Sequence, residues 1–365
     1  MINWEEIRSR YPLIEKGGYF NTASFGAISQ STIDIATKKH EEHMLSGNEN
    51  YNTWVQELVQ LKVELGQYIN TDNRNITFFS DVSNGINKVS DVLSGELEVT
   101  LIREDFPSVT LPWITRGYKI KWIDYEEFTV DYLGAIEKSL KAGSKILCLS
   151  WVFYNHGFRI EEDKVGELCK QYDCYFILDA TQGLGAYQIN VKQASIDFMI
   201  SSCFKWFMAG YGLAISHVAD SILELRTSQS GWNMLKDSSG SIEDRSNYAK
   251  DASVFEVGHS KFQNISVLYN SFSEMKSIGL PEISNRTTQL SLTLAKALKE
   301  SNFEVISFND SAPSGMVSIK SNNKILEKIK EHGISCTPRK DYIRFAVYFY
   351  NNEDDISSLI NSLKN

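Results

Sequence analysis

From about residue 74 the chain alternates short apolar runs with longer stretches whose apolar residues recur at helical spacing. Runs at 76–79 (ITFF), 98–102 (EVTLI), 119–123 (KIKWI), 145–150 (KILCLS), 175–179 (YFILD) and 198–201 predict strands, and stretches at 82–93, 134–141 and 164–172 predict helices between them. Strand and helix in alternation is the pattern of a mostly parallel sheet covered on both faces. Such sheets carry their functional groups at the carboxyl ends of the strands, so the residues that close each run matter most. The polar, serine-rich stretch 228–253 reads as a long loop, followed by helical patterns at 264–278 and 282–299. A small α/β unit closes the chain, with strands at 303–307, 315–319 and 342–347, a helix near 324–332 and a last helix from 353. This spacing predicts a large domain over 15–255 and a small C-terminal domain over 256–365, joined by residues 1–14.

Composition narrows the function classes. Of 365 residues, 37 are Lys or Arg and 46 are Asp or Glu, a net charge of −9 that disfavours a general nucleic-acid binder. No apolar run is long enough to span a bilayer, and the charged N-terminal segment lacks a signal-peptide core. Five cysteines, an odd number in a long chain, argue against a disulfide framework. These features predict a soluble, cytoplasmic protein without nucleic-acid or membrane partners.

Three segments at predicted strand ends carry candidate chemistry. Lys205 lies between Phe204 and Trp206 just after the 198–201 run. A lysine that cannot be comfortably solvated has a lowered pKa, as a Schiff-base nucleophile requires; the plain alternative is a lysine snorkelling from a strand end. Asp179 ends the apolar run 174–178 and precedes Ala180-Thr181-Gln182-Gly183, 26 residues before Lys205. An acid for a pyridinium nitrogen and a lysine on a nearby strand end are the minimal equipment for pyridoxal phosphate (PLP), although Asp179 alone reads equally as a turn residue. Ser80-Asp81-Val82-Ser83-Asn84-Gly85 offers backbone N–H groups and hydroxyls at a helix start, suited to phosphate or to a simple N-cap. Other signals are weaker. Gly183-Leu184-Gly185 and Gly210-Tyr211-Gly212 lack the third glycine of a dinucleotide motif, and His40-Glu41-Glu42-His43 is not a zinc-protease pattern. No metal site is predicted.

Taken together and in order, these segments resemble the class V aminotransferase family of fold-type I PLP enzymes, which includes cysteine desulfurases, kynureninase and isopenicillin-epimerase-like proteins. The resemblance runs from Tyr19-Phe20-Asn21-Thr22-Ala23-Ser24 through Phe79–Asn87, Glu104-Asp105-Phe106-Pro107-Ser108, Ser150–Gly157, Asp179–Gly183, Ser202-Cys203-Phe204-Lys205 and Phe255–His259 to Arg344 and Tyr350–Asp354. It implies an α/β/α sandwich with a small C-terminal α/β domain, and PLP as cofactor. It implies Lys205 as the cofactor-binding lysine, Asp179 on the pyridine nitrogen and Gln182 near the phenolic oxygen. Val82, Ser83 and Ser202 would hold the phosphate, and Phe106 would stack on the ring. Tyr154 or Asn155 would approach the phenolic oxygen, with Ser24 and Asn155 near the substrate and Arg344 clamping its carboxylate. His259 would reach the phosphate of a neighbouring subunit, which implies a homodimer.

Departures bear on the reaction. Phe204 stands where a desulfurase has His before the lysine, Phe106 replaces a stacking His, and Cys336 lies in an apparent strand rather than on a loop before Arg344. A cysteine so placed reads as a small core residue. The expectation is therefore an aminotransferase exchanging an α-amino group between amino and keto acids. Alternatives are a PLP-dependent lyase, by β-elimination or kynureninase-like cleavage, or an epimerase; a desulfurase or a non-catalytic relative is further removed.

Overall fold

The computed structural model describes residues 2–364 apart from 94–95, 226–228, 237–239, 245–246, 307 and 340. Parts of the predicted 228–253 loop, and Ser307 of the predicted 303–307 strand, thus lie outside the described residues.

Seven strands form the large sheet: β1 (Ile76–Phe79), β2 (Glu98–Ile102), β3 (Lys119–Ile123), β4 (Ile146–Ser150), β5 (Tyr175–Asp179), β6 (Phe198–Ser202) and β7 (Ala214–Val218). Their spatial order is β1-β7-β6-β5-β4-β2-β3. Neighbours from β6 to β3 run parallel, and only β7 is antiparallel to both strands it pairs with. The six predicted strands are all present. β7 was not predicted, because it follows a glycine-rich turn rather than a helix and so breaks the alternation that signalled the others.

Period-2 geometry divides the strands between two cores. Leu147, Leu149, Phe176, Leu178 and Met199 face one layer, which includes helices Tyr51–Ile69, Tyr132–Lys141, Glu162–Gln171 and Phe262–Ile278. Ile146, Cys148, Ile177, Phe198 and Ile200 face the other, covered by helices Val82–Val92 and Pro107–Thr115. The same alternation sends Ser150, Asp179 and Ser202, the last residues of β4, β5 and β6, toward this second layer. Helix Val82–Val92 fits so closely over β6 that a Cβ on Gly85 would lie 2.1 Å from Ile200 Cδ1. That contact seats the start of the helix directly beside the strand ends.

The C-terminal sheet is antiparallel, in the order β10-β11-β9-β8, from β8 (Val305–Ile306), β9 (Met316–Lys320), β10 (Thr337–Pro338) and β11 (Tyr342–Ala346). Helices Leu280–Glu300, Asn323–Glu331 and Glu353–Lys364 supply its apolar cover. The N-terminal segment crosses between the two sheets, with bridges from Tyr19 to Ser335 and from Asn21 to Ala346. Arg8 anchors it: its guanidinium meets Asp355 at 2.7 and 2.8 Å and also donates to the Tyr350 and Ile14 carbonyls. Asp355 accepts further bonds from Asn351 Nδ2 and the Asn352 N–H. Removing one member of a buried ion pair strands the other, so Asp355→Ala should cost about 3–5 kcal/mol in urea unfolding; a loss below about 1 kcal/mol would make the pair incidental.

Candidate active site

The carboxyl ends of β4, β5 and β6 open into a cavity of about 790 Å³, mouth included, whose walls include Val82, Ser83, Phe106, Ser150, Tyr154, Asp179, Gln182, Ser202 and Lys205. Nine sequence-predicted residues were candidate cofactor ligands, and eight of them line this one space.

Lys205 sits on the turn after β6, and its backbone is clasped by the N-terminal segment. The Gly26 N–H donates to the Phe204 carbonyl at 2.9 Å. A Cβ on Gly26 would fall 1.9 Å from the Lys205 carbonyl oxygen, so only glycine permits this approach. Gln182 ties the same turn from the other side: its Oε1 accepts from Trp206 Nε1 at 3.0 Å, and its Nε2 donates to the Ala23 carbonyl at 2.9 Å. The Lys205 amine projects past two aromatic rings, 5.5 Å from the centroid of Phe204 and 5.9 Å from that of Phe106. Burial lowers its pKa from 10.5 to about 8; Asp179 pulls it up and Arg344 pushes it down.

Asp179 is buried, and burial raises its carboxyl above the usual range, although Thr181 and the charge of Lys205 work in the opposite direction. Its Oδ1 accepts from the Thr181 N–H at 2.9 Å, and Thr181 Oγ1 accepts from the Ser202 N–H at 3.2 Å. Ser202 Oγ is buried and has no hydrogen-bond partner among the described residues. Nearby, the Asp81 carboxylate caps helix Val82–Val92 by accepting from the Asn84 N–H at 2.8 Å, and Gly85 bonds back to the Asp81 carbonyl. The first-turn N–H groups of Val82 and Ser83 have no partner within the helix. Ser83 Oγ lies 2.6 Å from Ser108 Oγ. This corner therefore offers an orphaned hydroxyl and a helix N-terminus together, a fit for a phosphate.

Phe106 stands at the mouth, edge-on to Tyr154 with ring centroids 5.1 Å apart. Ser24, Asn155 and Arg344 lie behind this wall and are not on the cavity surface. Arg344 donates to the Tyr154 carbonyl, to Ser24 Oγ at 3.1 Å and to Thr337 Oγ1 at 3.0 Å, and its buried Nε has no partner among the described residues. Burial, reinforced by Arg339, lowers its pKa to about 10. Asn155 donates to the Glu104 carbonyl and accepts from the Tyr342 hydroxyl, both at 3.0 Å. His259 is exposed, 4.8 Å from the Trp232 ring, in an adjoining recess that shares Ser80 and Leu213 with the main cavity.

A family model, Aminotransferase class-V, matches residues 31–359. The chain belongs to the class V aminotransferase family. These enzymes depend on PLP, and this one carries the amine, buried acid and phosphate corner that the cofactor needs. Among curated relatives, an uncharacterized aminotransferase, YcbU of Bacillus subtilis, is 20% identical over 98% of this chain and 97% of its own. A probable cysteine desulfurase of Borreliella burgdorferi is 24% identical over 98% of this chain and 95% of its own. The fold matches that of the cysteine desulfurase of Thermococcus onnurineus NA1, with a TM-score of 0.85 at 18% identity over 99% of this chain and 97% of that one. It also matches a C-DES variant with glycine covalently linked to its PLP, with a TM-score of 0.87 at 19% identity over 98% of this chain and 99% of that one.

Several residues of this class V site were not singled out from the sequence. Ser150 closes β4 and lies opposite Asp179 in register, Thr181 links Asp179 to Ser202, and Tyr211 lines the mouth between two glycines. Ser150 could have been found as the last residue of a strand; Tyr211 carried no comparable signal.

If Lys205 captures PLP, its neutral amine is the nucleophile, and capture by the apoenzyme should speed up with pH and level off above about pH 8. Stopped-flow absorbance would measure this, and a rate still climbing near the ordinary lysine value of 10.5 would contradict the burial argument. Lys205→Ala should yield no borohydride-stable adduct.

Proposed function

We propose that this enzyme is an aminotransferase that moves an α-amino group from an amino acid to a keto acid. The reading rests on one juxtaposition: a buried amine of lowered pKa at Lys205, within electrostatic reach of a buried guanidinium at Arg344 whose hydrogen-bond partners among the described residues are neutral oxygens. An unpaired buried cation is costly and is relieved when an anion arrives. An α-carboxylate matches it bidentately, replacing neutral partners such as Ser24. That grip would direct the substrate Cα toward Lys205, which acts as the base for the Cα proton.

Bound PLP supplies the electron sink for the pair left behind at Cα. Asp179 would hold negative charge against the ring nitrogen, Phe106 would cover a ring face, and Val82, Ser83 and Ser202 would donate to the phosphate. Gln182 and Tyr154 would flank the ring's phenolic oxygen. A persulfide-forming reaction does not suit Cys336, because burial pushes its thiol up to about 12, the reverse of what a nucleophile needs. We further propose a cytoplasmic homodimer in which His259 reaches the neighbouring site. Exposure of His259 beside the recess at Ser80 supports this arrangement.

Titration of the holoenzyme with a panel of amino acids tests the reaction. Bleaching of the visible band, with recovery on adding a keto acid, is expected. A band that persists while substrate is consumed would transfer the assignment to a lyase or epimerase, and no response to any amino acid would refute both. Arg344→Lys, which keeps the charge but loses the fork, should raise KM by about ten- to a hundredfold. An unchanged KM would remove Arg344 from substrate binding.

A further inference from the structure

Directly beneath the mouth of the cavity lies a second buried carboxyl group with no role in the scheme above. Asp105 follows β2 and is 5% exposed. Its Oδ1 accepts from the Phe106 N–H at 2.7 Å and from the Ser150 hydroxyl at 2.6 Å, while Oδ2 accepts from the Ser150 N–H at 2.8 Å. Every donor belongs to a residue that lines the cavity. The segment is braced on its other side as well, because the Glu104 carbonyl accepts from Asn155 Nδ2.

Phe106 precedes a proline-led helix and has no side-chain cap of its own, so the bond from its N–H to Asp105 constrains the backbone that aims its ring. Ser150 is the in-register neighbour of Asp179 across β4 and β5. One carboxyl group therefore couples the aromatic wall of the site to the strand beside its central acid. We propose that Asp105 is a positioning residue for the cofactor: it fixes Phe106 over the ring face.

The titratable groups facing Asp105 are Asp179 at the end of β5 and the Cys148 thiol of β4, and no cation forms an ion pair with it among the described residues. Burial brings Asp105 to about 7, with its three hydrogen bonds pulling down and Asp179 pushing up.

The inference rests on the reading that Phe106 contacts PLP, and the experiment separates the two. PLP affinity of the apoenzyme is measured by fluorescence quenching at pH 8 for wild type, Asp105→Asn and Asp105→Ala, alongside each melting temperature. Asp105→Asn keeps an acceptor for the Phe106 N–H, and its affinity should stay close to that of wild type. Asp105→Ala loses that acceptor and should bind about tenfold more weakly. Equal affinity in all three proteins, with only the melting temperatures lowered, would mean a merely structural role and would overturn the proposal. Failure of the wild type to bind PLP would overturn the cofactor contacts and this inference together.

Discussion

The arrangement of this site depends on keeping one lysine amine out of water. Lys205 is held at a strand end where solvation is poor, and the cost of burying its charge lowers its pKa to about 8. A flexible side chain escapes such a penalty by turning outward. Here the escape is closed off by backbone contacts. Gly26 presses on the Lys205 carbonyl, Gln182 bridges Trp206 to Ala23, and Tyr348 donates its hydroxyl to the Trp206 carbonyl at 2.8 Å. The N-terminal segment, β5 and the C-terminal sheet all contribute to holding one turn.

Charge around that amine is layered. Acids occupy the floor: Asp179, with Asp105 beside it, both buried and both raised by desolvation. Cations occupy the wall toward the small sheet, where Arg344 is enclosed by neutral oxygens and Arg339 stands over the Tyr154 ring at 5.9 Å. Buried charges of one sign that lack counterions are unfavourable in an empty site and become favourable when the missing partner binds. The stability forgone at the site is offset by large cores on both faces of the sheet.

Much of the molecule was legible in its sequence because strand and helix periodicities are local. Six of the seven strands of the large sheet, and helices such as Phe262–Ile278, follow from runs of apolar residues and their spacing. Asp179 and Lys205 stood out for the same reason: each lies at the end of a run, where parallel sheets expose function. The order of the motifs carried the family and, with it, the cofactor. β7 escaped because it follows β6 through a glycine-rich turn instead of a helix, and its other neighbour, β1, lies far from it in the chain.

Tertiary structure alone decided the rest. Nothing local distinguishes Asp105 from a surface acid after a strand; burial and three donors, two of them on a serine 45 residues away, make it part of the site. Arg344 could be identified as a clamp by resemblance, yet its position behind Tyr154 and Ser24 depends on how the N-terminal segment and the small sheet meet. The physical reason is common to both. A sequence encodes which residues prefer an interior and at what period, whereas desolvation and hydrogen-bond pairing depend on distances between segments that only the folded chain brings together.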